Sequence, residues 1–448
     1  MMIRLTRNDL ILWVIGLYLV LNYGFMQFRI PPVGGGGVPL GELVLLLVLL
    51  KVNYLIVYTR LSNVVFLFPF IVWWVYGLGR ALAGVPEFGM WALRDASHVI
   101  ESLFIIIGFI AVSRERDLER FFYWLPRVLI VISIYSLGFM FKDTLQGWSP
   151  SIVAGGGHDT PVLFNYANTA QLLLWAAVYI LLFKVGVSSL PNYLLVLIAT
   201  VLIGYAVLLF QGRITYLQLI VLFLLLLLYR RELIGQVIFS LFSILIFLLI
   251  LPFTGIQLEG RLGQELSVDF IAKHIATIGG ISADGVAGSA AGVHQRIGWW
   301  SELFFAWTSS VKTFIFGLGY GMPLIDFTLA SGAVVREPHN SYISILARLG
   351  VVGAITWVWM HLILIVVWIN AYRKCTHVRW REGQNRLLIL LVFFVLIWVL
   401  ALGQDAFEKP YNAIPYYFFW GVILRFMFNL KEKIRRQQEE PYADITSP

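Results

Sequence analysis

The sequence predicts an all-α integral membrane protein, and three observations carry the prediction. Of its 448 residues, 59% are hydrophobic and 13% charged, where a typical soluble domain has about 25% charged residues. Mean hydropathy is +0.82, and 33 Phe, 20 Tyr and 16 Trp present more apolar surface than a compact soluble core can bury. The apolar residues also run in stretches able to cross a hydrocarbon core of about 30 Å.

Twelve such stretches are expected, at 10–28, 39–58, 62–79, 97–112, 124–141, 162–183, 191–210, 214–229, 233–252, 342–369, 387–403 and 415–430. Backbone N–H and C=O groups in lipid must find partners within the chain, so each stretch is expected as a helix. The first is too long for a signal-peptide core and lacks a small-residue cleavage pattern behind it, so it is expected to stay as an anchor. Lys and Arg gather on one side: Arg114, Arg116, Arg120 and Arg127 after the fourth stretch, Arg373, Lys374, Arg379, Arg381 and Arg386 after the tenth, and Lys431, Lys433, Arg435 and Arg436 after the last. The positive-inside rule then puts both termini in the cytoplasm. The chain divides into 1–252 with nine membrane helices, a long outer loop at 253–341, three more helices at 342–430 and a cytoplasmic tail at 431–448. For a bacterial inner membrane the outer side is the periplasm.

Long connections are usually functional, so the chemistry is sought in 253–341. Val268, Ile271, Ala272, Ile275 and Ile278 recur at helical spacing over Ser267 to Ile278, and Ile297, Trp300, Phe304 and Trp307 do so over His294 to Trp307. Both patterns predict amphipathic helices. Gly279 to Gly292, rich in Gly, Ala and Ser, is expected as a mobile lid. Phe316 to Gly321 is expected as a tight turn, and the Gly34 to Gly37 run as a loop.

The single Cys375 excludes an intrachain disulfide and a Cys-rich metal site. The seven His show no zinc-ligand spacing, no P-loop occurs, and the outer acids Asp143, Asp159, Asp284, Asp326 and Glu337 are not paired as metal ligands would be. No metal, cofactor or nucleic acid is expected. In the segment Arg336-Glu337-Pro338-His339-Asn340-Ser341-Tyr342, Pro338 biases Glu337 to extended backbone, and Asn340 or Ser341 can cap the helix that follows. His339 then stands at a helix N-terminus, where the dipole disfavours imidazolium and favours a neutral base. A histidine that merely caps the helix or sits at the headgroup level is the alternative.

Arg213 occupies the short turn Gln211-Gly212-Arg213 on the outer face, Arg296 begins the aromatic helix, and Arg261 and Arg336 lie on the same side. Converging guanidinium groups suit a diphosphate. Pairing with lipid phosphate or with Glu265, Glu302 or Glu337 is the alternative, and is preferred for Arg261. Trp148, Trp299, Trp300 and Trp307 are expected in an interfacial belt rather than stacked on sugars. Glu42, Glu101, Arg348 and Arg425 within the stretches, with Asp405 near an outer end, are too few for a proton relay.

Together, Gln211-Gly212-Arg213, His294-Gln295-Arg296, Gly317-Leu318-Gly319-Tyr320-Gly321 and Pro338-His339-Asn340-Ser341-Tyr342 ahead of Leu349-Gly350-Val351-Val352-Gly353 resemble the O-antigen ligase and polymerase superfamily, best over 160–370. The resemblance implies a GT-C-like fold and a metal-independent glycosyltransferase that moves a glycan from undecaprenyl diphosphate to an acceptor at the periplasmic face. It implies that Arg213 and Arg296 bind the diphosphate and that His339 activates the acceptor hydroxyl, with Glu337 as a rival base. Arg336, Glu337, Asn340 and Tyr342 would then contact substrate. With lipid A–core as acceptor the chain is a ligase of lipopolysaccharide biosynthesis, which is the expectation; with a lipid-linked repeat or exopolysaccharide it is a polymerase. A flippase or transporter would need polar residues lining a path at mid-depth, where His361 stands alone.

Overall fold

The structure is a computed structural model that describes residues 6–30, 37–153, 159–167, 169–183, 191–282, 284–328 and 334–443. Residues 34–36 of the glycine run, Ala283 of the expected lid and the last residues of the tail lie outside these. The described chain is mostly helical. In order, the main helices are α1 (Arg7–Leu21), α2 (Leu40–Leu49), α3 (Tyr54–Ser62), α4 (Phe68–Phe88), α5 (Ser97–Ala111), α6 (Glu115–Gly147), α7 (Thr169–Phe183), α8 (Asn192–Leu209), α9 (Arg213–Tyr229), α10 (Arg231–Phe253), α11 (Val268–Ala276), α12 (Ala287–Thr308), α13 (Val311–Phe316), α14 (Ser341–His377), α15 (Arg381–Leu400) and α16 (Pro410–Arg435).

Among the described residues seven of these, α4, α6, α8, α10, α14, α15 and α16, are long and apolar enough to cross a membrane. The α2 and α3 pair adds an eighth if it is one span, and α5, α7 and α9 are apolar but shorter. The chain is thus an all-α, multi-pass membrane protein. One expectation is corrected: 39–58 is not a continuous helix, because α2 and α3 meet at a bend of 87°. The Asn53 side chain accepts the Ile56 N–H and starts a new helix there, and α4 begins only at Phe68.

The centre of the bundle is α15 and α16, with 83% and 94% of their most apolar windows buried, whereas α10 buries only 22% and leaves the rest to lipid. Between helices in lipid there is little hydrophobic drive, so close packing must hold them. Gly108 of α5 and Gly421 of α16 allow it: a Cβ on Gly108 would run into the Phe418 carbonyl, and one on Gly421 into that of Ile105. Trp175, Phe393, Phe394, Phe419 and Trp420 fill the space around this crossing, with Phe394 and Trp420 stacked at 4.2 Å.

α14 is broken near its start. Gly350 takes φ 65° inside it, which leaves the Ala347 and Arg348 carbonyls without helical partners. Leu318 and Gly319 N–H groups bind those two carbonyls at 2.7 and 3.0 Å. The turn Gly317 to Gly321, with all three glycines at positive φ, is thereby stitched into the break, and a Cβ on Gly317 would strike the Arg348 backbone. Tyr76 and Arg80 of α4 secure it further, through the Leu349 and Gly317 carbonyls.

In the long loop, α11 forms where the spacing predicts, capped by Ser267. The second helix starts earlier than expected, at Ala287, so the later part of the segment assigned to a mobile lid is regular helix. A two-residue hairpin, Phe327–Thr328 with Val334–Val335, then delivers the chain to Arg336.

Candidate active site

The site is assembled from three places in the sequence around the connection 401–409, between α15 and α16. Asn340 opens α14 as its cap: its Oδ1 accepts the N–H groups of Tyr342 and Ile343 at 3.1 and 3.2 Å, while its Nδ2 donates to the Leu402 carbonyl at 3.1 Å. Ser341 N–H donates to the Ala401 carbonyl, and its hydroxyl donates to Glu408 and accepts the Phe407 N–H. Held between these contacts and Trp300, whose indole donates to the Pro338 carbonyl at 2.8 Å, His339 adopts φ 53°. A non-glycine residue in that region is strained unless its surroundings fix it.

His339 Nδ1 lies 3.1 Å from Asp405 Oδ2; the imidazole is about a third exposed and the carboxylate almost fully buried. Burial works to raise Asp405, yet His339, with Lys409 and Arg296, holds it below the usual carboxylate range. An ionised Asp at Nδ1 favours a proton on that nitrogen and leaves Nε2 as the basic one. The Trp299 ring stands 6.2 Å from the imidazole.

Arg296, on α12, donates to the Gly403 carbonyl at 3.1 Å. Arg213, at the start of α9, donates to the Ser289 carbonyl at 2.6 Å. Ser289 and Arg296 are two helical turns apart on one side of α12, roughly 10 Å, so the two guanidinium groups flank the same helix face. Gln211 is fully buried at φ 47° and accepts the Leu262 N–H at 2.8 Å, while Arg261 N–H binds the Leu209 carbonyl. This pins the hairpin around Arg261 against the Arg213 turn. Among the described residues Arg213, Arg261 and Arg296 form no ion pair with a carboxylate. Positive potential gathers there: His274, bonded to the Tyr216 hydroxyl at 2.9 Å, is pushed down to about 4 by burial and by Arg213 and Arg261.

The neighbours of His339 are differently occupied. Arg336 pairs with Asp95 at 3.1 Å and lies over the Trp91 ring. Glu337 is bound by Arg348 at 2.6 Å and by the Ser344 hydroxyl, and burial raises its carboxyl against the pull of Arg348. Arg348, 1% exposed, also reaches Asp95. Tyr342 donates to the Trp398 carbonyl. Each of Arg336, Glu337, Asn340 and Tyr342 therefore has an internal partner. His361 sits between Trp357 and Tyr416, its Nδ1 on the Trp357 carbonyl. Two residues gained from the structure are Asp405 and Glu408; the sequence signal is a short connection carrying Asp405, Glu408 and Lys409 between two apolar helices.

The stretch 198–358, which holds Arg213, Arg296 and His339, matches the family model described as O-Antigen ligase. That stretch is similar to the O-antigen ligase family. A comparison with curated proteins finds no match. With its apolar helices, the chain is a multi-pass membrane protein carrying a domain of the O-antigen ligase and polymerase type. The O-antigen ligase match ends before 401–409, so the partner of His339 comes from outside it. No ion-binding group of three or more His, Cys, Asp or Glu occurs among the described residues.

Proposed function

We propose that the chain transfers a glycan from undecaprenyl diphosphate to the hydroxyl of lipid A–core at the periplasmic face of the inner membrane. The observation that supports this most is a His about a third exposed and backed by a buried Asp, near two arginines that pair with no carboxylate among the described residues. The acceptor hydroxyl attacks the anomeric carbon of the donor sugar, the bond from that carbon to the diphosphate oxygen breaks, and the hydroxyl proton passes to His339 Nε2. Arg213 and Arg296 bind the diphosphate and stabilise the charge that grows on it as it leaves. Asp405 keeps the imidazole in the right tautomer and stabilises the imidazolium that forms. Glu337, held by Arg348 and Ser344, keeps the His339 segment in place rather than acting as the base.

The test is product analysis with purified protein, an undecaprenyl diphosphate-linked glycan and lipid A–core, without added metal or nucleotide. Glycan-bearing lipid A–core supports the ligase. Lengthening of the donor glycan instead makes the chain a polymerase, and formation of neither product overturns the reading.

A further inference from the structure

At the far end of the bundle from His339 stands a set of cations that glycan transfer does not use. Arg425 lies fifteen residues beyond Pro410 on α16, roughly 22 Å along the helix. There a cavity of about 260 Å³ opens between α1, the bend from α2 to α3, α5 and α16, with Arg7, Lys51, Arg60 and Arg425 in its wall and no Asp or Glu among its described lining residues. The positive-inside rule accounts for exposed cations such as Arg7, Lys51 and Arg60. It does not account for Arg425, which is 5% exposed.

The Arg425 guanidinium packs beside the Phe109 and Phe428 rings, at 5.3 and 4.8 Å from their centres. One nitrogen, Nη2, donates to the Ser113 carbonyl. Nε and Nη1 are buried without a hydrogen-bond partner among the described residues, and leaving donors of a buried cation unmet is costly. The acids whose fields reach Arg425 are Asp117 and Glu432, and neither forms an ion pair with it. Asp117 instead accepts the Arg114 N–H.

We propose that this cavity is a phosphate-binding site, with the free donors of Arg425 at its base and Arg7, Lys51 and Arg60 around its mouth. Its place at the end of the spans suits the phosphodiester of an anionic membrane lipid; a free phosphate would meet the same donors.

The experiment uses the full chain purified in detergent and measures retention of phosphatidylglycerol, phosphatidylcholine and inorganic phosphate by native mass spectrometry and equilibrium binding. Four proteins are compared: wild type, Lys51→Gln/Arg60→Gln, Arg425→Gln, and Arg116→Gln/Arg231→Gln, whose two exposed cations lie outside the cavity and cost the same charge as the rim pair. The rim pair keeps the test decisive if Arg425→Gln fails to fold. The expected result is preference for phosphatidylglycerol over phosphatidylcholine, weakened about tenfold or more in the rim pair and unchanged in Arg116→Gln/Arg231→Gln. Inorganic phosphate binding with the same pattern, and no retained lipid, assigns the site to a free phosphate. Equal loss in both double variants, or no difference between wild type and the rim pair for either probe, overturns the proposal.

Discussion

His339 Nδ1 stands 3.1 Å from Asp405 Oδ2, which ties the base of the long loop to a connection between the two most deeply buried helices. The pairing explains why a strained backbone at His339 persists, and it predicts the effect of the mildest change available. Asp405→Asn keeps the shape and removes the charge, so glycan transfer falls by about 10²-fold, while thermal unfolding shows the protein still folded. Near-wild-type rates for this variant would remove Asp405 from the mechanism.

Arg213 and Arg296 each donate one hydrogen bond to a backbone carbonyl and keep further donors for an anion. Lysine preserves the charge but not the planar fork. Arg213→Lys and Arg296→Lys are therefore each expected to lower kcat/KM for the lipid-linked donor by about 10²-fold with KM for the acceptor unchanged. Steady-state rates with each substrate varied in turn check the split.

Arg348 is bonded to Glu337 and Asp95 where water does not reach. Arg348→Met leaves the buried Glu337 carboxylate without a cation and Asp95 with Arg336 alone, and is expected to cost about 3–5 kcal/mol of stability, read as a lower unfolding midpoint. Glu337→Gln keeps an oxygen for Arg348 and offers Ser344 an N–H that its hydroxyl can accept, and is expected to keep most of its activity. Loss of transfer in a folded Glu337→Gln would restore that carboxylate as the base.

Glu408 is pushed up to about 8 by burial and by the charges of Asp405 and Glu337. Between the ordinary carboxyl value and about 8, the folded state binds more protons than the unfolded one, so stability falls as pH rises through that window. Glu408→Gln cannot ionise. Its unfolding midpoint is expected to decline less than that of wild type between about pH 5 and 8, and parallel curves would contradict the assignment.

Much of the site was legible where local rules act alone. Asn340 as a cap follows from its side chain and the apolar run behind it, and Arg213 in the short turn Gln211-Gly212-Arg213 was conspicuous for lack of room. The role of Asp405 was not legible, because a lone carboxylate near a helix end shows its partner only once α14 and α15 are packed. Trp299 and Trp300 fitted an interfacial belt equally well by composition; the contacts of Trp300 with Pro338 and of Trp299 beside His339 are tertiary. The bend at Asn53 was hidden because α2 and α3 are both apolar and hydropathy does not register direction. Arg261, expected to pair with an acid or lipid, forms no ion pair with a carboxylate among the described residues and lies within the field of Arg213.

The central claim is a division of labour: the arginines hold the diphosphate and His339 takes the acceptor proton. Binding of undecaprenyl diphosphate and single-turnover glycan transfer to lipid A–core, measured on the same preparations of wild type, His339→Ala and Arg213→Ala/Arg296→Ala, tests it most directly. The expected result is that His339→Ala binds undecaprenyl diphosphate as wild type does but does not transfer, while the double arginine variant loses binding and transfer together. Transfer by folded His339→Ala, or undiminished binding by the double arginine variant, would contradict it.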